Sequence, residues 1–404
     1  MIWNNAKTLF KLVLQGAVFT ALFACSSERV NEPAELQPFI ETRQVEKLWS
    51  TGIGDGDEEL KLELRPVLSD GKIFALDRYG ELNVVAADSG KRLWRRDLNE
   101  QVSAGLGFDR SHLYYATFQG ELVCLDRENG NEIWRRSLSS EAVSAPASNN
   151  RSVAVQTIDG KLFVFDAVEG IKLWQYDSTD PILTLRGTAQ PTFHKGALVA
   201  AFANGELRAF DARNGRSRWK SNVGVAQGRT ELERLIDIDG DPLIFDDKVY
   251  AVAYQGNLVS LDVFSGQELW RRESSSFKAV ALANDKIVAT LEDSRVLAYS
   301  ESNVIDVWEN DLLTYRRLTK PTIVGDSVLV ADFEGFVHVL SLVDGSIQAR
   351  FQPDTDGIME HIIPAGDRFF ISTRSGDLIA YKLKEAIPSY KRGKAIPLGR
   401  REDF

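Results

Sequence analysis

Two cysteines and four histidines are the side chains of this 404-residue chain whose types most often serve as catalytic nucleophiles, bases or metal ligands. Cys25 and Cys124 form no C-x-x-C pair of the kind a redox couple or zinc site needs, and two cysteines cannot build a disulfide framework. Cys124, within Leu122-Val-Cys-Leu-Asp126, reads as a small buried hydrophobe. His112, His194, His338 and His361 lie far apart without ligand spacing and read as structural. No Gly-x-Ser-x-Gly elbow or phosphate-binding Gly-Lys-Ser/Thr occurs. Gly52-Ile-Gly-Asp-Gly-Asp57 has the glycines of a nucleotide loop but no strand-to-helix context, and reads as an exposed connection. In Asp237-Ile-Asp239-Gly240-Asp241 the acids alternate as in a calcium loop, yet Pro242 follows at once and no distal glutamate completes the twelve-residue pattern. No catalytic residue, metal ligand or cofactor is assigned.

The formal net charge is −10, and the 48 basic residues are interspersed with 58 acidic ones, so nucleic acid is not an expected partner.

What positions these residues is a repeat. Gly80, Gly90 and Trp94 recur with unchanged spacing as Gly120, Gly130, Trp134; Gly160, Gly170, Trp174; Gly205, Gly215, Trp219; and Gly256, Gly266, Trp270. A sixth unit keeps the frame with Ser294, Val304 and Trp308, and a seventh keeps Gly335 and Gly345 but has Ala349 in place of tryptophan. An eighth starts at Gly376 and stops after Tyr381, while Lys47-Leu48-Trp49 near the other end is a tryptophan segment with no glycine half before it. Proline stands fourteen residues before the first glycine at Pro66, Pro146, Pro191, Pro242 and Pro321, and twelve before it at Pro364. Between proline and tryptophan lie β-branched and aromatic runs joined through residue-Gly pairs, the mark of β-hairpins. Each unit thus supplies four short strands, at glycine spacings of 40, 40, 45, 51, 38, 41 and 41 residues.

The expected fold is all-β: an eight-bladed β-propeller of four-stranded blades over residues 45–383, closed by an N-terminal strand that completes the last blade. Closure removes the two open sheet ends that a stack would expose. Tryptophans should lie between blades, each burying on the order of 200 Å² of surface. Asp126, Asp166, Asp211 and Asp262 are read as turn-capping acceptors. Because Ala349 lacks the indole, the seventh blade is expected to dock most weakly.

Lys7 and Lys11 precede an apolar run from Leu12 to Ala24, too short to span a bilayer about 30 Å thick. Residues 1–24 read as a secretory signal. Leu22-Phe23-Ala24-Cys25 resembles a bacterial lipobox, which implies acylation of Cys25; Ser26 and Ser27 after it imply sorting to the outer membrane. Residues 25–44 read as an acylated N-terminus and polar tether, and 384–404 as a basic tail. From Lys382 onward seven Lys or Arg face three acids, giving a solvated tail or one that touches anionic lipid or the cell wall.

The Gly-x9-Gly-x3-Trp unit resembles the tryptophan-docking repeat of the quinoprotein (pyrroloquinoline quinone) dehydrogenases, but the adjacent cysteine pair against which those enzymes hold their cofactor is missing. With its lipobox, the chain is similar to the propeller lipoproteins of the outer-membrane β-barrel assembly machinery, above all in Leu183-Thr-Leu-Arg-Gly187 and Glu231-Leu-Glu-Arg-Leu-Ile-Asp-Ile-Asp239. These stretches also lie in the two connections, Trp174 to Pro191 and Trp219 to Pro242, that swell the spacing to 45 and 51, so they should project from one face of consecutive blades. The resemblance implies a non-enzymatic scaffold, lipid-anchored on the periplasmic face of the outer membrane. It implies docking to the POTRA domains of the barrel-inserting subunit through Leu183, Leu185, Arg186, Asp237 and Asp239, and service to unfolded β-barrel clients. In that reading Arg186 is a forked donor, and the aspartates orient it or engage the partner. Two alternatives are a degenerate quinoprotein enzyme and an envelope sugar-binding propeller.

Overall fold

The computed structural model describes residues 31–56, 62, 64–178, 189–224 and 236–386. Local structure follows from paired runs around glycine turns. In one unit Ser152–Gln156 pairs antiparallel with Lys161–Asp166, Ala154 lying opposite Val164. Nearly every residue of these two strands is buried, because both faces of the sheet are covered by neighbouring sheets, whereas the next strand, Lys172–Asp177, is largely exposed. That double coverage explains why the middle strands read as continuous apolar runs.

Eight such four-stranded antiparallel sheets are formed by the described residues. Blades 1 to 7 span 67–97, 102–137, 147–177, 192–222, 243–273, 281–310 and 322–351. Blade 8 takes three strands from 358–385 and its outer strand from Arg43–Gly52, which pairs antiparallel with Asp377–Glu385. Trp49 lies opposite Ala380 and Lys47 opposite Tyr381, so the chain ends join and the molecule is an all-β, eight-bladed propeller.

Indoles hold blade to blade. The ring N–H of Trp134 donates to Ala167 O of the next blade at 3.2 Å, that of Trp174 to Ala212 O at 3.1 Å, Trp219 to Val263 O at 2.9 Å and Trp308 to Leu342 O at 3.0 Å. Each ring lies on the second glycine of the following unit: a Cβ on Gly170 would stand 2.5 Å from Trp134, and one on Gly90 the same distance from Trp49. The turn that carries this glycine is capped by the repeat aspartate, as where Asp126 Oδ1 accepts from the N–H groups of Glu128 (2.9 Å) and Asn129 (3.1 Å).

Ala349 is the exception because blade 8 has no such turn to receive an indole; its outer strand arrives from the other end of the chain. Phe351, Phe369 and Tyr381 fill the seam instead, with ring centroids 4.9 to 6.1 Å apart. Val45 and Leu383 pack against the same cluster, so the contact expected to be missing is supplied by other side chains.

Two sequence readings need correction. Gly52-Ile-Gly-Asp-Gly is not an exposed connection: Ile53 is buried, its N–H donates to Gly376 O at 2.8 Å, and a Cβ on Gly54 would stand 2.5 Å from the Asp77 carboxylate. The glycines let the closing strand thread between blades 8 and 1. Nor is the segment up to residue 44 simply a free tether. Ala34 N–H donates to Thr314 O (2.9 Å), Arg316 donates to Ala34 O (3.0 Å), and Thr42 N–H donates to Gln348 O (3.0 Å). Phe39 lies under the Arg350 guanidinium at 5.1 Å. The chain is therefore strapped along the outer edge of blade 7 before it enters the closing strand.

Candidate functional site

The two long connections leave blades 3 and 4 on one face. Ser178 N–H donates to Gly160 O (2.9 Å) and Val223 N–H to Gly205 O (2.9 Å), which puts both departures beside the same class of hairpin turn. Their returning ends are tied together, since Gln190 N–H donates to Asp241 Oδ1 at 2.8 Å. Leu183, Leu185 and Arg186 lie outside the described residues, as do Cys25 and the tail from 387 onward.

Asp237 and Asp239 are placed. Between Ile236 and Ile238, both in the core between blades 4 and 5, Asp237 is only 2% exposed and bridges to Tyr254, whose N–H donates to Asp237 O at 2.9 Å. Asp239 is half-buried and turned to the hub. Neither is a freely exposed acceptor; the isoleucines pull this strand-like segment inward and carry its acids with it. The described residues contain no group of three or more His, Cys, Asp or Glu placed to share a metal ion.

The hub itself was not singled out from sequence. The innermost strands surround an axial cavity of about 810 Å³, which runs from Asp70 and Asn150 at one end to Arg65, Lys320 and His361 at the other. A smaller space beyond is bounded by Asp239, Asp241 and Lys278. Between the two, Arg65 of blade 1 donates to Asp241 of blade 5 in an ion pair that crosses the ring axis. Gln190 links Asp241 to blade 3 through its side-chain N–H on Pro146 O, at 3.1 Å. Burial pushes the Asp241 carboxyl up, but the charges of Arg65 and Lys320 and the two hydrogen bonds outweigh it and hold the group below the ordinary range. His361 is held well below the ordinary imidazole value, first by burial and then by Arg65, Lys320 and Lys278. A signal for these residues does exist: Arg65, Gln190, Asp241 and Lys320 each immediately precede the repeat proline, polar side chains in one register.

The remaining titratable groups are structural. Cys124 is fully buried, its thiol pushed up to about 12 by burial and Asp109. His338, fully buried, contacts Asp332 at 2.9 Å; His194 contacts Asp247 at 2.6 Å, and His112 contacts Asp109 at 3.1 Å.

Comparison with known proteins places this architecture. A family model described as "Outer membrane protein assembly factor BamB" matches residues 78–310. The protein of that name from Pseudomonas aeruginosa is 44% identical over 384 residues, 95% of this chain and 99% of the relative. The crystal structure of BamB from Moraxella catarrhalis superposes with a TM-score of 0.77 at 26% identity, covering 84% of this chain and all of that one. Quinohemoprotein alcohol dehydrogenase from Comamonas testosteroni, at 12% identity and a TM-score of 0.64 over 84% of this chain and 76% of its own, shares the fold alone. By the family match, the identity across nearly the whole chain and the common eight-bladed ring, this chain belongs to the BamB family of outer membrane protein assembly factors.

Proposed function

We propose that this protein is a non-enzymatic scaffold of the outer-membrane β-barrel assembly machinery. It is held on the periplasmic face of the outer membrane by acyl chains on Cys25 and docks the POTRA domains of the barrel-inserting subunit while β-barrel clients are inserted. The observation that carries the reading is the departure of the two enlarged connections from adjacent blades on one face, cross-tied at Gln190 and Asp241. Leu183 and Leu185 supply apolar area and Arg186 a forked donor, the residue types that concentrate binding energy at interfaces. Asp237, being buried, serves by positioning this segment rather than by meeting the partner itself. Residues 1–24 are the cleaved signal; of the basic tail expected over 384–404, Lys384 and Glu385 belong to the last strand of blade 8.

A pull-down on immobilised POTRA domains tests the reading. Wild-type protein is captured, and Arg186→Ala weakens capture by about 2 kcal/mol, roughly thirtyfold in Kd. No capture of the wild type would defeat it.

A further inference from the structure

We propose that the rim of the ring between blades 6 and 7 is a membrane-contact patch, in which Leu312, Tyr315 and Phe333 enter the headgroup layer of the leaflet that holds the acylated Cys25. The inference rests on the anchor reading above and not on the docking reading. These three large side chains are 44%, 36% and 48% exposed. Leu312 and Tyr315 lie in the connection from blade 6 to blade 7, and Phe333 lies in the turn between the second and third strands of blade 7. The turn and the connection are bonded together, since Phe333 N–H donates to Arg316 O at 3.1 Å. Tyr315 N–H donates at 2.7 Å to Asp293 O, in the corresponding turn of blade 6. The second-to-third-strand turn of blade 3 carries Gly160, so the patch is on the face from which the two enlarged connections leave. Tyr315 and Arg317, both exposed, hold positive φ of +59° and +51°, which costs any residue with a side chain and persists because the surrounding bonds enforce it.

The path of the chain before the ring decides the occupant. Ala34 is tied to this same connection by two bonds, its N–H donating to Thr314 O and its O accepting from Arg316. It stands nine residues after Cys25, a reach of at most about 30 Å at full extension. A lipid-held Cys25 therefore keeps the bilayer within a short tether of the patch, at an effective concentration that lets a weak contact form. The side chains suit the headgroup level: Tyr315 has an apolar ring with a polar end, Leu312 and Phe333 add apolar area, and Arg317 offers a donor fork to lipid phosphate. Charge around the patch is mixed, because Asp311 is exposed beside Arg317 while Glu334 pairs with Arg316. Burial of apolar surface, rather than attraction to anionic lipid, is what the contact draws on.

Fluorescence of the reconstituted lipoprotein tests this. The acylated protein is purified from membranes carrying either Leu312→Cys or, as a control on the far face of blade 3, Val168→Cys, and is labelled with a thiol-reactive dye. Cys124 is buried and Cys25 is taken up by its acyl chains, so the label goes to the engineered site. On vesicles of phosphatidylethanolamine and phosphatidylglycerol that contain a nitroxide-headgroup lipid, the label at 312 is quenched about threefold or more beyond the label at 168. Adding Tyr315→Ser and Phe333→Ser, both at exposed positions, removes most of that difference. Flotation of the same sample reads the anchor by itself. Protein that does not float loses the anchor reading and this inference with it; protein that floats with position 312 quenched no more than position 168 overturns this inference alone. Unchanged quenching in the folded serine variant also overturns it. So does a label at 312 that stays aqueous on vesicles yet is shielded in whole cell envelopes, which would assign the patch to a protein partner. The comparison of positions 312 and 168 needs no serine variant, so a misfolded variant does not shield the proposal.

Discussion

Arg65 and Asp241 stand four blades apart whichever way the ring is followed, and their side chains meet across its axis. The pair links opposite sides of the ring directly, whereas the indole contacts join neighbouring blades.

Breaking it should therefore cost more than losing a surface pair. The side chains are 15% and 19% exposed, and a buried cation stranded by removal of its partner typically costs 3–5 kcal/mol. Asp241→Asn is expected to lower unfolding stability by about 3 kcal/mol in a urea titration, near the bottom of that range. The Arg65→Met, Asp241→Met double variant should recover most of the loss.

His361 makes stability fall on mild acidification. Its folded-state value is depressed, so below about pH 6.5 the unfolded chain takes up a proton that the folded chain refuses. Stability is thus fully present above that value and declines as pH drops, by up to about 1.4 kcal/mol per pH unit for this one group. His338 is shifted in the same direction and adds to the slope. Thermal unfolding between pH 7 and pH 5 should show His361→Gln with a shallower decline than wild type; equal slopes would remove His361 from the account.

Gly170 and Gly71 share a positive φ, +66° and +70°, but not their surroundings. A methyl on Gly170 meets the Trp134 ring, whereas one on Gly71 meets nothing within 4 Å. Alanine at either position bears a backbone cost of roughly 1–2 kcal/mol. Gly170→Ala should lose roughly 1–3 kcal/mol more by overpacking. The difference between the two variants in a denaturant titration measures the indole contact directly.

Val304 fills the corresponding glycine position of blade 6 at φ +57°, a conformation that a β-branched side chain adopts only under strain. Val304→Gly is expected to stabilise the protein by about 1 kcal/mol, readable as a rise in Tm. A fall would mean that the valine methyls contribute more to blade packing than the turn costs.

The ring was legible because its evidence is periodic: glycine and tryptophan recur at fixed spacing, and the lone segment at Trp49 matches the blade left unfinished after Tyr381. The long connections were legible from the same spacing. The hub was not, since Arg65 and Asp241 are 176 residues apart and no local pattern pairs them, although their place before proline puts them in one register. Polar composition masks the contacts of residues 34–42, where Leu36 and Phe39 are the apolar side chains that pack against the ring and backbone groups of Ala34 and Thr42 bond to Thr314 and Gln348. Nothing near Gly54 in the sequence reveals the distant Asp77 packed against it. The acidity of Asp237 points to the surface, whereas the flanking isoleucines carry it inward.

The proposed docking uses one face of the ring. A photo-crosslinking residue placed at Leu183, in the long connection after blade 3, and at Val168, 60% exposed on the opposite face of that same blade, compares the two sides within one unit. Irradiation of cells should join position 183, and not position 168, to the POTRA region of the barrel-inserting subunit. Crosslinks from 168 with none from 183 would contradict it.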